Sequence, residues 1–216
     1  QKMQKILSLI WNLNKFLFFY IFLFLYSTQL YSQTSDVFDA IENKDYSSAL
    51  QIWQSRAQQG DASAQFNLAL LYHFGLGVDK NINIAVYWYE RSAANGDSKA
   101  QNNLGHLFYE GYEVKKDIPR AVHLFKLAAR QGISSAQLNL GRAYTKGIGI
   151  KPDLLNGFIW ISMAEKSDLG NETNKVKNEI SELSKLLTVK QLSLAKIMVT
   201  RCWDTSFEVC EMDDRQ

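Results

Sequence analysis

The side chains with the greatest chemical reach are three histidines, His73, His106 and His123, and two cysteines, Cys202 and Cys210. In "HLFYE", His106 and Glu110 stand at i and i+4, one face of a helix and a spacing able to hold a metal. A zinc site needs three or four ligands. No third ligand is evident, because His123 falls on the following helix. The reading is a solvated His–Glu pair, with no metal and no cofactor. Nucleophile elbows, P-loops and dinucleotide fingerprints are absent. "GLGVDK" and "GIGIKP" contain G-x-G, but each follows a helix where a phosphate cradle would follow a strand. No catalytic residue is assigned.

The two cysteines are eight residues apart. In one continuous helix that separation is about 12 Å, whereas a disulfide needs Cα atoms within about 7 Å. A bond therefore requires the helix to end inside "CWDTSFEVC", where Asp204, Thr205 and Ser206 suit a turn. The alternative is two free thiols. An even cysteine count in an exported chain suggests the bond, and export is what the first 32 residues suggest. Lys2 and Lys5 precede the apolar run "FLFFYIFLFLY", and "STQLYSQ" offers Ser32 before a cleavage point, the pattern of a secretory signal. The alternative is an uncleaved anchor, the one route to a membrane. A spanning helix wants about 20 apolar residues, and Asn12, Asn14 and Lys15 interrupt the count.

Lys2, Lys5 and Lys15 carry three of the 24 basic residues, leaving 21 against 22 acidic ones. That remainder has no basic excess to follow a phosphate backbone, so nucleic acid is not an expected partner. The chain has 216 residues, 46% of them hydrophobic and only two of them proline, which suits a helical fold with a sizeable core.

The elements that must position any site are written three times. "AQFNLALLYHFGLGV" from Ala64 returns as "AQNNLGHLFYEGYEV" from Ala100 and "AQLNLGRAYTKGIGI" from Ala136. Each unit predicts two helices. Helix A opens near Ala64, with Ala64, Leu68, Leu71 and Tyr72 on one face, and stops at Gly75. After a loop, Asn81, Asp117 or Asp153 caps helix B. Small residues at Ala69, Gly105 and Gly141 sit where A and B should cross. Such a hairpin cannot bury its apolar face alone, and stacked copies make a solenoid. Beyond the units, Asn171–Leu186 reads as a polar helix. Thr188 and Gln191 then fit a capping box, opening a last helix with Leu192, Ala195, Ile197 and Met198 as its apolar face.

Residues 100–132, "AQNNLGHLFYEGYEVKKDIPRAVHLFKLAARQG", resemble a Sel1-like repeat, a relative of the tetratricopeptide repeat with a longer A–B loop. Departures are Ala69 for the usual glycine, Glu113 for a loop glycine, and a drifting third unit with Gly157 and Asp168 in place of alanine and glycine. The resemblance implies an all-α, right-handed α–α superhelical solenoid with helices A on the concave side. The organisation expected is a signal peptide over 1–32, an N-terminal capping half-repeat over 33–59, three repeats over 60–167, and C-terminal capping helices over 168–216. The family's usual role implies a non-enzymatic scaffold for a protein or peptide in the bacterial cell envelope. The alternatives are an enzyme or binder acting on β-lactams or cell-wall material, which some cysteine-rich members of the family suggest, and a self-assembling structural protein. This chain lacks a cysteine pair in every repeat.

By the same resemblance, the concave face carries Phe66, Asn67, Leu70, Phe74, Asn103, His106, Tyr109, Asn139 and Arg142 as candidate partner-binding residues. Phe66, Leu70 and Phe74 form an apolar stripe, either exposed as a docking surface or covered by the N-terminal unit through Phe38 and Ile41. Asn67, Asn103 and Asn139 form a ladder that would bond either a peptide backbone or the neighbouring unit.

Overall fold

The computed structural model describes residues 40–167, 172–207 and Cys210. The apolar run within residues 1–32, Phe38 and Asp168 lie outside these. All regular structure described is helical: α1 (Tyr46–Gln58), then the pairs α2 (Ala62–Phe74) with α3 (Ile82–Ala94), α4 (Ser98–Glu110) with α5 (Ile118–Ala129), and α6 (Ser134–Lys146) with α7 (Leu154–Glu165), then α8 (Thr173–Leu186) and α9 (Val189–Asp204). Contacts run between chain neighbours, with α8 and α9 both packed on α7. This is the all-α solenoid that the repeats imply.

The caps explain where each helix begins and ends. Helix A opens two residues earlier than expected. Asp61 and Asp97 accept hydrogen bonds from the Ala64 and Ala100 N–H groups, while Ile133, at the third equivalent position, offers no side-chain cap. Gly75, Gly111 and Gly147 close the A helices with φ of 70°, 66° and 67°, a region open to glycine without a Cβ penalty. Asn81, Asp117 and Asp153 cap the B helices as the sequence predicts. Their own N–H groups donate back to the Tyr72, Phe108 and Tyr144 carbonyls at 2.8–2.9 Å. One residue thus starts helix B and pins it to helix A.

The joint between units is held by a glutamine whose role the sequence does not disclose. The Nε2 groups of Gln65, Gln101 and Gln137 are buried and donate to the carbonyls of Ala57, Ala93 and Ala129 on the preceding helix, at 3.0, 3.1 and 3.2 Å. Their Oε1 atoms differ. That of Gln65 accepts from Asn95 and that of Gln101 from Gln131, but Gln137 Oε1 is buried with no partner among the described residues. Ser167, at the equivalent position, is too short. Gln101→Leu removes two hydrogen bonds, to the Ala93 carbonyl and from the Gln131 amide, and is expected to cost about 2 kcal/mol. Gln137→Leu removes one hydrogen bond and also an unpaired buried oxygen, so it is expected to cost about 1 kcal/mol less. Chemical denaturation of both variants tests the order.

One core cluster runs from Ala69 through the second and third units into α8 and α9. A smaller one joins α1 to α2 through Ala49, Trp53, Leu68 and Leu71, with Tyr72 and Trp88 packed against both clusters. The A–B crossings tighten along the chain, through Ala69 with Ala85, Gly105 with Ala121, and Gly141 with Gly157. A Cβ on Gly141 would lie 2.9 Å from the Ile161 nitrogen and 3.0 Å from the Gly157 oxygen.

At the C-terminus the capping box of Thr188 and Gln191 is formed. The buried stripe of α9 is Ala195, Met198, Val199 and Cys202, whereas Ile197 is 61% exposed. This corrects the expected face. Two positions after Ala195 is about 200° around a helix, the opposite side. Cys202 and Cys210 are bonded, with Cα atoms 4.7 Å apart. The helix ends at Asp204 as the bond requires, and Ser206 and Phe207 turn the chain back with φ of 50° and 71°. The turn sets the Phe207 ring against Gly132, at the start of the third unit.

Candidate functional site

The helix-A face presents residues that vary between units around a constant framework. At successive equivalent positions stand Leu70, His106 and Arg142, then His73, Tyr109 and Thr145, then Phe74, Glu110 and Lys146. Adjacent A helices leave grooves between them. The groove between the first and second units has a volume of about 350 Å³ and includes His73, Phe74, Asn103, His106 and Glu110. The next, about 540 Å³, includes Tyr109, Asn139, Arg142 and Lys146, with Lys175 and Glu179 from α8.

The apolar stripe does not lie open as a stripe. Phe66 and Leu70 are half-buried and pack against the main core, with the Phe66 ring 6.0 Å from that of Tyr89. Phe74 alone is exposed, at 62%, and stacks on His73 at 4.6 Å. A four-residue step advances about 40° around a helix, so the stripe begins against α3 and ends in solvent. Of its expected cover, Ile41 is 39% exposed and Phe38 is outside the described residues.

The asparagine ladder meets the preceding unit at two rungs. Asn139 Nδ2 lies 3.1 Å from His106 Nε2, and the Asn103 side chain stands by the Tyr89 hydroxyl and opposes the rise of its pKa. Asn67 is half-buried. His73 Nδ1 also reaches the Tyr89 hydroxyl, at 3.2 Å. Tyr89 is fully buried, and burial pushes its hydroxyl up to about 12, so it holds its proton throughout the neutral range. Arg142 is engaged within the chain, its Nη2 2.9 Å from Glu179 on α8. That pair walls off the C-terminal end of the face.

His106 packs edge-on against Phe125, ring centres 5.2 Å apart. Burial holds its imidazole below the ordinary histidine value, with the Glu110 charge pulling the other way. His123 is exposed on α5. Among the described residues no group of three or more His, Cys, Asp or Glu is placed to hold a metal.

Sequence reasoning passed over two contributors, Tyr112 and Glu113, both in the A–B loop of the second unit. The departure from the loop glycine is the signal that could have found them. In the first and third units, Gly77 and Gly149 take φ of 66° and 72° and lie so close to Tyr46 and Ile118 that a Cβ would collide. Glu113 does not take that conformation. Its carboxylate instead meets Lys80 and lies 3.2 Å from His73 Nε2. The Lys80 ammonium hydrogen-bonded to it holds its carboxyl below the usual carboxylate range. Tyr112 beside it is 93% exposed.

No described helix is long and apolar enough to cross a membrane, and the disulfide is consistent with an extracellular location. Comparison with curated proteins finds none that matches. Solved structures do. A Sel1 repeat protein from Oxalobacter formigenes is 30% identical with a TM-score of 0.61, over 67% of this chain and 58% of that one. A protective antigen present in uropathogenic Escherichia coli strains and displaying an SLR fold is 33% identical with a TM-score of 0.62, over 74% of this chain and 34% of that one. The chain thus matches about a third to three-fifths of the length of these relatives. The Sel1 repeat model matches residues 62–97, 98–133 and 134–168, each beginning at the first residue of an A helix. Sel1-like repeats generally mediate protein–protein interaction. With three matched units, the seams that join them and two solved relatives, the chain belongs to the Sel1-like repeat family.

Proposed function

We propose that the chain is an exported scaffold of the bacterial cell envelope that binds a protein or peptide along its helix-A face, without catalysis. In this reading residues 1–32 direct export, and residues 33–59 and 168–216 cap the solenoid. One observation carries it. Positions that hold the units together repeat, as Asp or Asn caps, joint glutamines and small crossing residues, while the groove positions change chemistry from unit to unit. A surface whose only task was to be wet would need no grooves, and a structural face would repeat like the seams. Phe74, Tyr109 and Lys146 supply apolar, aromatic and cationic contacts in sequence along that face, which suits an extended segment of a partner.

The test uses the tagged full chain as bait in an envelope extract. Wild type is compared with Phe74→Asp combined with Lys146→Glu, two exposed positions whose replacement leaves the fold intact. A protein retained by wild type, lost by the variant and accompanied by unchanged far-ultraviolet circular dichroism is the expected result. Absence of any retained protein, or equal retention by both, overturns the proposal.

A further inference from the structure

Resting on that reading and narrowing it, the geometry points to a seat for one arginine side chain of the partner in the groove between the first two full units, between Phe74 and Tyr112 and against Glu110. Phe74 stacks one face on His73 and Tyr112 stands clear of the core, and the two rings are 62% and 93% exposed at the rim of one groove of about 350 Å³. Scattered exposed aromatics need no explanation, but two at one concavity offer faces to a ligand.

Charge selects the ligand. The groove holds two carboxylates that differ in their surroundings. Glu113 already has a cation, Lys80. Glu110 is exposed at the end of α4, and its described electrostatic neighbour is His106, whose burial favours the neutral imidazole. One carboxylate is therefore uncompensated, beside aromatic rings. An anion is repelled there. A neutral apolar side chain leaves Glu110 unanswered. A guanidinium answers both features, because it is flat, weakly hydrated and able to stack on a ring while forking two N–H groups onto a carboxylate. An ammonium supplies the charge without the fork or the flat face. The apolar stem of arginine would lie along the groove beside Leu107.

The neighbouring groove provides an internal contrast. One unit on, Glu110 stands in place of Phe74, Lys146 in place of Glu110 and Ile148 in place of Tyr112. The aromatic pair is gone and the carboxylate has become a cation. The arginine seat belongs to one junction only, so it would set the register of a partner segment along an otherwise repeating face.

The experiment titrates the ¹⁵N-labelled full chain with the capped pentapeptide Gly-Gly-Arg-Gly-Gly, and with counterparts carrying citrulline or glutamate at the centre. The arginine peptide is expected to shift the Phe74, Glu110 and Tyr112 amides with a dissociation constant of about 1 mM, as befits a single side chain. Citrulline, isosteric but neutral, and glutamate should bind at least about ten-fold more weakly, the equivalent of about 1.4 kcal/mol. Glu110→Gln and Phe74→Ala should each lose a similar factor, and Lys146→Gln should lose none. Equal titration by arginine and citrulline peptides, an unchanged response in Glu110→Gln, or shifts spread over the whole chain would overturn the assignment. A negative titration beside positive envelope capture removes the arginine seat and leaves the scaffold reading standing. A positive titration without capture does the reverse.

Discussion

Gly141→Ala is expected to lower the melting temperature by about 6 °C, while Gly105→Ala, the same change one unit earlier, moves it by about 2 °C or less. Filling an overpacked crossing costs about 3 kcal/mol, against which alanine recovers about 1 kcal/mol of helix propensity. For a chain of this size each kcal/mol is about 2–4 °C. The two sites differ in what the new methyl meets. At Gly141 it meets Ile161 Cγ1 at 2.6 Å and, behind it, backbone, the Ile161 nitrogen at 2.9 Å and the Gly157 oxygen at 3.0 Å, which cannot retreat without separating α6 from α7. At Gly105 the nearest atoms belong to the Phe125 ring, at 2.8 and 2.9 Å, which can tilt. The first unit already tolerates alanine at this crossing, at Ala69. Thermal melts followed by circular dichroism decide it, and equal losses at the two sites would refute the argument from backbone contact.

Phe66→Asp combined with Leu70→Asp is expected to unfold the first unit. Both side chains are half-buried against Tyr89 and the main core. Two carboxylates forced into that packing cost well over about 3 kcal/mol unless they escape to water. The expected readout is lost helicity or a melting temperature lower by more than about 8 °C. Phe74→Asp, at a position 62% exposed, should remain within about 0.5 kcal/mol of wild type. A folded double variant would mean that the upper stripe is surface after all. The contrast also separates the residues that build the face from those that can be altered to probe it.

The period, the B-helix caps, the glycine stops and the place where the last helix must break were legible in the sequence, because each is set by a local rule acting on neighbouring residues. Helix A began two residues early because Asp61 and Asp97 read as connectors until their carboxylates are seen accepting from Ala64 and Ala100. Gln65, Gln101 and Gln137 were visible as repeats but silent as to role. Their partners lie eight residues upstream, across a joint that only stacking creates. The asparagine ladder divided on the same ground, since a recurring amide suits a ligand or a neighbour equally until distances are known. The candidate face was legible as a set of positions. Its division into packed and open residues was not. That division depends on how far Phe66 has rotated toward α3, and on an A–B loop whose glutamate changed course.

The joints have a consequence for how such a chain changes over generations. Loss of residues 98–133 would bring Asp97 directly before Ser134, giving α6 the acidic cap that Ile133 denies it, and would place Gln137 eight residues after Ala93, the spacing its seam requires. Tandem duplication or unequal exchange can therefore add or delete 36 residues without mending a joint, and the solenoid persists at a new length. The groove of Phe74, Glu110 and Tyr112 would not survive the same deletion, because it exists only where those two units adjoin. Ancestry can rewrite the grooves of the helix-A face by copy number alone, leaving the rules that fold it untouched.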